Sequence, residues 1–178
     1  MEKSQKLKLV KDALTSYPDF PKPGVIFRDI FGIFRNAAAM QAMTDLILGH
    51  VALLDIELIV GLDSRGFLLG PLISLGLAKP FIPIRKKGKL PGKVIQQSYT
   101  MEYGEDTIEM QINDLHGKNK VLLVDDLIAT GGTMEAAEKL VKSAGMSVVQ
   151  CFFIVELSSL KGRTKLTAPV HSLIQYDS

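Results

Sequence analysis

Short, almost wholly apolar runs punctuate the chain: IELIVGL at 56–62, FIPI at 81–84, VLLV at 121–124 and SVVQCFFIVEL at 147–157. Runs of that length suit strands buried on both faces, as in a parallel sheet. The segments between them are long enough for helices. NAAAMQAMTDLILGHVALL (36–54), FLLGPLISLGL (67–77) and TMEAAEKLVKSAG (133–145) all read as helix, with a kink expected at Gly70-Pro71. Strands alternating with helices define an α/β fold with a mostly parallel central sheet flanked by helices. Ligands of such sheets sit at the carboxyl ends of the strands.

The remaining segments fill in the organisation. Leu7, Val10 and Leu14 have the spacing of a first amphipathic helix. PDFPKPGVIFRDIF (18–31) holds three prolines and a glycine and reads as a structured loop. RKKGKLPGK (85–93) is basic and rich in Gly and Pro, so a mobile loop is expected. VIQQSYTMEY and TIEMQI form a predicted hairpin turning at Gly104-Glu105-Asp106. No repeat, low-complexity tract or linker interrupts the 178 residues, which suit one domain with a substantial core.

Composition narrows the function classes. Apolar residues are 47% and charged residues 22%, which excludes a disordered or fibrous chain. A net charge of +2 argues against a general nucleic-acid surface. A single cysteine, Cys151, excludes an internal disulfide and points to a reducing compartment. No stretch without a formal charge exceeds 13 residues, too short to span a bilayer, and MEKSQKLKLVKDAL is unlike a signal or transit peptide. A cytoplasmic protein without membrane attachment is the expectation.

The most informative stretch is VLLVDDLIATGGT (121–133): a buried strand running into two aspartates, then a Gly-Gly pair between threonines. Glycines let backbone amides approach a ligand, and successive amides at a helix start form an anion nest. Thr130 and Thr133 add hydroxyl donors. No Lys-Ser or Lys-Thr follows the glycines, so this is not a Walker A loop, and G-x-G-x-x-G occurs nowhere. A plain strand–loop–helix with Thr133 as N-cap would explain one threonine. It would leave the two aspartates unexplained, since buried carboxylates are costly without partners. A sugar phosphate satisfies both halves: hydroxyls for Asp125 and Asp126, amides for the phosphate.

This stretch resembles the phosphoribosyl pyrophosphate signature of type I phosphoribosyltransferases. FPKPGVIFRDI (20–30), VGLDSRGFLLGP (60–71), IRKKGKLPGK (84–93), YTMEYGEDTIEMQ (99–111) and VELSSLKGRTKL (155–166) extend the resemblance, in order, to the adenine phosphoribosyltransferase family. The resemblance implies a type I phosphoribosyltransferase fold with a small N-terminal hood (1–35), a core (36–178) and a mobile lid near 85–104. It implies transfer of the phosphoribosyl group of 5-phosphoribosyl 1-pyrophosphate to adenine, giving AMP and pyrophosphate, by a homodimer. Mg²⁺ is expected through substrate and water near Asp125 and Asp126, with no direct protein ligand.

Residue roles follow from the same resemblance. Asp125, Asp126, Ala129, Thr130, Gly131, Gly132 and Thr133 would bind ribose phosphate. Asp63, Ser64, Arg65, Arg85, Lys86, Lys89 and Tyr103 would bind or enclose pyrophosphate, with a cis peptide between Asp63 and Ser64. Ile26 and Arg28 would read adenine through backbone groups while Phe27 stacks on it. Glu102 would be the acid near adenine N7. His50, His116 and His171 show no partner pattern, and Cys151 reads as core. Other readings are a transferase for a different base, a phosphoribosyl pyrophosphate-sensing regulator without turnover, and a non-catalytic partner subunit. The GVIFRD and EYG segments, Glu102 and the basic loop argue against them.

Overall fold

The computed structural model describes residues 1–177 and divides into two compact units, 1–53 and 54–177. The first contains α1 (Lys3–Ala13), β1 (Thr15–Pro18), β2 (Ile26–Asp29), the short α2 (Phe31–Phe34) and α3 (Ala37–Val51). β1 and β2 form an antiparallel ribbon. α3 buries Ala39, Ala42, Met43, Leu46, Ile47 and Val51, and α1 buries Val10. Because α3 packs with α1 and α2, the boundary between units falls after Leu53 and not at 35. The segment expected as loop at 18–31 contains a strand, β2, held by its pairing with β1.

The second unit is a seven-stranded sheet. Its elements are β3 (Leu58–Leu62), α4 (Gly66–Leu77), β4 (Phe81–Lys86), β5 (Val94–Met101), β6 (Gly104–Gln111), β7 (Lys120–Ile128), α5 (Gly132–Ser143), β8 (Ser147–Leu157) and β9 (Val170–Tyr176). Two 3₁₀ turns, Ser158–Leu160 and Gly162–Lys165, follow β8. The strand order is β5-β6-β4-β3-β7-β8-β9. β4, β3, β7, β8 and β9 are parallel neighbours, and β6 joins β4 antiparallel with β5 beside it. All five residues of β3 are buried, as a strand covered on both faces requires. Phe153, Leu123, Val121 and Leu58 meet Leu140, Val141 and Ala137 of α5 in one core.

Five details differ from the sequence reading. β4 runs on through Arg85 and Lys86, because β6 pairs with it there, so the basic loop is only 87–93. The hairpin turns at Glu102-Tyr103, two residues before the expected site, since Met101 already pairs with Gly104. β7 continues past both aspartates to Ile128, carried by its ladder with β8. The N-cap of α5 is Gly131, not Thr133, which lies within the first turn. α4 passes through Pro71 as one helix.

Glu138 shows how the core tolerates charge. It is 2% exposed on α5 and accepts bonds from Thr167 N (3.0 Å), Thr167 Oγ1 (2.8 Å) and Ala168 N (2.6 Å). Burial pushes its carboxyl up, but the bonds from Thr167 and Ala168 outweigh this and hold it below its ordinary 4.5. Glu138→Gln turns an amide toward donors and should cost about 1–3 kcal/mol in urea unfolding. A lowered folded value means the wild-type advantage is full above pH 4.5 and fades as pH falls through the folded value. Unfolding curves at pH 7 and pH 3.5 check both parts.

Candidate active site

The carboxyl ends of β3, β4 and β7 surround a cavity of about 380 Å³ within the second unit. Its walls include the Asp63-Ser64-Arg65 turn after β3, Lys86 at the end of β4, Tyr99 and Asp106 of the hairpin strands, Asp125 and Asp126. Ala129 to Thr133 close it. A second cavity of about 300 Å³ shares Asp63, Ser64 and Lys86 and adds Arg85. Asp63–Ser64 is a cis peptide.

Close backbone contacts shape the loop. Gly131 has φ +84°, and a Cβ there would run into the carbonyl of Gly162. A Cβ on Gly162 would in turn run into the carbonyl of Ala129. Gly162, which opens the second 3₁₀ turn after β8, therefore presses directly on the 129–131 backbone, which only paired glycines allow. Gly66, opening α4, lies equally close: a Cβ would be 2.8 Å from the Val124 carbonyl and 3.5 Å from Asp125 Oδ1. Gly131 leads straight into the twelve-residue α5, so its amide end faces the cavity wall lined by Gly132 and Thr133. That end carries partial positive charge.

The electrostatics of the walls are arranged in opposed pairs. Arg65 Nε lies 2.8 Å from Asp126 Oδ2, and Asp126 N–H donates to Asp125 Oδ1 at 2.9 Å. Burial, then the neighbouring Asp126 charge, pushes the Asp125 carboxyl well above its ordinary value. Arg85 Nε donates to Asp63 Oδ2 at 2.7 Å. Lys86 Nζ is 2.9 Å from Asp106, which raises the lysine and lowers the aspartate. The walls thus offer amides and cations beside carboxylates, which suits a ligand carrying both phosphate and hydroxyls. Asp125 and Asp126 are also the residues here that could hold a divalent ion. Among the described residues no three His, Cys, Asp or Glu side chains converge on one point, so the pair could reach such an ion through a ligand and water.

The cavities gather most but not all of the residues singled out by sequence. Asp63, Ser64, Arg65, Arg85, Lys86, Asp125, Asp126 and Ala129 to Thr133 line one or both. Lys89, Glu102 and Tyr103 line neither; Glu102 and Tyr103 stand at the hairpin tip, with Tyr103 81% exposed. Ile26, Phe27 and Arg28 belong to the first unit, on β2. There Pro18, which has no N–H, stands opposite Ile26, and Phe20 N–H donates to the Val25 carbonyl. Both facts turn Phe27's backbone groups toward β1 and those of Ile26 and Arg28 away from it. Phe27 packs edge-on against Phe20 at 5.2 Å.

Sequence reasoning missed Tyr99, Asp106 and the brace beneath the loop. In that brace Glu156, 4% exposed, takes both guanidinium donors of Arg163, Nε at 2.7 Å, and Ser172 Oγ at 2.7 Å. The Arg163 bond, ahead of burial, holds Glu156 below the usual carboxylate range. Period-two alternation back from the true hairpin turn would have pointed Tyr99 and Asp106 inward; no local signal marks Glu156. The histidines stay outside the cavities. His171 stacks on Phe152 at 5.8 Å, and burial pushes the Cys151 thiol up to about 12.

Residues 33–171 match the phosphoribosyl transferase domain, and the chain belongs to that family. Its relatives narrow the class. It is 46% identical over 173 residues to adenine phosphoribosyltransferase of Drosophila pseudoobscura pseudoobscura, covering 96% of each chain. It is 45% identical over 172 residues to the Eremothecium gossypii protein of the same name, covering 94% of this chain and 92% of that one. The adenine phosphoribosyltransferase of Saccharomyces cerevisiae, solved with an imino-altritol bisphosphate and adenine, superposes with a TM-score of 0.91. That match is 42% identical and covers 96% of this chain and 99% of the other. The Trypanosoma brucei enzyme, solved with AMP, pyrophosphate and ribose-5-phosphate, superposes at 0.86 with 32% identity, over 96% of this chain and 79% of that one.

The raised Asp125 carboxyl makes a stability prediction. An acid whose folded value is raised opposes folding increasingly as pH climbs above its ordinary 3.8. Asp125→Asn keeps the shape and the acceptor for Asp126 N–H. The ligand-free variant should therefore melt higher than wild type at pH 7, by about 2–4 °C for each kcal/mol relieved. The gain should vanish near pH 3.5. A variant that melts lower at pH 7 would contradict the repulsion.

Proposed function

We propose that the chain transfers the phosphoribosyl group of 5-phosphoribosyl 1-pyrophosphate to adenine, releasing AMP and pyrophosphate, as a purine-salvage enzyme. The observation that carries this is the aspartate pair and the Ala129–Thr133 loop facing one cavity, in a chain related to adenine phosphoribosyltransferases over nearly its whole length. Asp125 and Asp126 accept the ribose hydroxyls. The amides of Ala129 to Gly132, with Thr130 and Thr133, hold the 5-phosphate. The Asp63-Ser64-Arg65 turn, Arg85, Lys86 and Lys89 hold pyrophosphate, and Tyr103 helps to cover it. Ile26 and Arg28 meet the adenine edge with backbone groups, and Phe27 stacks on the ring.

The reaction separates an anionic leaving group from an anomeric carbon with oxocarbenium character, as in glycoside cleavage. Arg65, Lys86 and Arg85 answer the charge developing on pyrophosphate. Asp125 and Asp126 keep the ribose oriented while adenine N9 attacks. Glu102 accepts the proton of adenine N7 as N9 attacks, which raises the nucleophilicity of N9 and leaves the AMP base neutral. Mg²⁺, bound through substrate oxygens and water near Asp125 and Asp126, would neutralise pyrophosphate charge.

Homodimeric assembly and a cytoplasmic setting complete the reading. The supports are the family resemblance, the buried thiol of Cys151 and the absence, among the described residues, of any helix long and apolar enough to cross a membrane. No nucleic-acid partner is proposed, in keeping with the net charge of +2. Sedimentation velocity at micromolar protein should give a dimer; a fully active monomer would refute the assembly.

AMP formation from adenine and phosphoribosyl pyrophosphate, with and without Mg²⁺, tests the function directly. Glu102→Gln should keep ligand binding and lower kcat, at the modest end of about 10²–10⁴-fold. Lys89→Ala should instead weaken pyrophosphate and phosphoribosyl pyrophosphate binding, more at low salt than at high. A wild-type kcat in Glu102→Gln, with chemistry limiting, would remove Glu102 from the mechanism.

A further inference from the structure

Glu109 on β6 is 2% exposed and stands opposite Arg85 in the β4–β6 ladder. A carboxylate so far from water needs strong compensation. It finds this in the loop that follows β4. Glu109 Oε1 accepts from Lys89 N–H at 2.8 Å and Leu90 N–H at 3.1 Å, and Oε2 accepts from Gln96 Nε2 at 3.3 Å. Gly88, at φ +84°, turns the backbone so that these successive amides converge. That is an anion nest, filled by the protein's own carboxylate. Burial pushes the Glu109 carboxyl up, but the bonds from Leu90, Gln96 and Lys89 prevail and hold it below its ordinary value.

The other side of the same residue is held as well. Arg85 Nη1 donates to the Lys89 carbonyl at 3.3 Å while its Nε holds Asp63 of the cavity turn at 2.7 Å. Lys87 N–H donates to the Thr107 carbonyl at 3.0 Å, tying the loop to β6 a second time. Two residues facing each other across the ladder thus grip Lys89 from opposite ends of its backbone: Glu109 at the amide, Arg85 at the carbonyl. The expected mobile loop is in fact pinned from Lys87 to Leu90.

We propose that Glu109 is a positioning residue for the pyrophosphate end of the site, fixing the Lys89–Leu90 backbone so that Lys89 and Arg85 are presented from a rigid support. This rests on the phosphoribosyl transfer reading above. Glu109 touches no substrate; it acts through the loop. Without its carboxylate, the Leu90 amide loses its acceptor, the Lys89 amide keeps only the Lys86 carbonyl at 3.2 Å, and Arg85 no longer closes on a fixed carbonyl. Binding of pyrophosphate then carries the added entropy of ordering the loop.

The test uses the full chain with two variants. Glu109→Gln removes the charge at constant size. Glu109→Asp keeps the charge one methylene short of the amides, and serves if the first fails to fold. Hydrogen exchange of the Lys89 and Leu90 amides should quicken about tenfold or more in each, with core amides of β3 and β7 unchanged. Affinity for magnesium pyrophosphate, by calorimetry, should fall about 10–100-fold, the scale of hydrogen bonds to a charged group. Adenine affinity, and kcat at saturating phosphoribosyl pyrophosphate, should stay within about twofold, so the loss appears in KM. Unchanged exchange at Lys89 and Leu90, or equal losses for pyrophosphate and adenine, would overturn the assignment. A wild-type chain that binds no pyrophosphate overturns both this inference and the function beneath it; one that binds it while the variants match it in exchange overturns the inference alone.

Discussion

Adjacent carboxylates at the end of a buried strand are the constraint around which the second unit is arranged. Asp125 and Asp126 sit on β7, flanked on both sides by parallel strands, where repulsion is poorly screened. Arg65 answers one of them directly. The close passage of α4 at Gly66 brings that arginine's turn within reach, because no side chain separates the helix start from β7. The other aspartate has its carboxyl pushed up by burial and by the neighbouring Asp126 charge. Hydroxyl donors from a ligand of the proposed kind would give both carboxylates partners.

The sheet's architecture was largely legible because it depends on patterns with short range. Almost wholly apolar runs such as LIVGL and VVQCFFIV marked buried strands, and the TMEAAEKLVKS segment carried a helical stripe. What went unread depends on partners distant in sequence. Arg85 and Lys86 look like loop residues until β6, more than twenty positions on, supplies a ladder for them. The hairpin turn was placed on the residues of highest turn propensity, yet register with β5 moved it to Glu102-Tyr103. Thr133 looked like an N-cap, and a left-handed glycine took that position because Gly162 leaves room for nothing larger.

The candidate site was legible in the same uneven way. Asp125, Asp126 and Ala129 to Thr133 are nearly contiguous in sequence, so one stretch carries them to a single cavity. The supporting residues are not contiguous. Tyr99 and Asp106 face the cavity only through hairpin register, and Glu109 and Glu156 reveal themselves only as buried acids that have found donors. A buried acid with several donors is costly to place and serves to hold a loop in one shape. Three such acids, Glu109, Glu138 and Glu156, tie irregular segments to the sheet at separate points.

The contact between Gly131 and Gly162 also bears on the order in which the molecule is built. The 129–131 backbone takes its shape against a segment about thirty residues further along, which is held by Glu156, Arg163 and the β8–β9 pairing. During synthesis the loop's own residues leave the ribosome well before the segment that shapes them. Parallel pairing over such distances is slow to form, since loop closure precedes any reward from contact. The sheet centred on β3 and β7 can assemble from earlier residues, whereas the 129–131 loop must await Gly162 and its neighbours. A nascent or truncated chain ending at β8 would hold most of the core yet lack the contact that shapes the 129–131 loop.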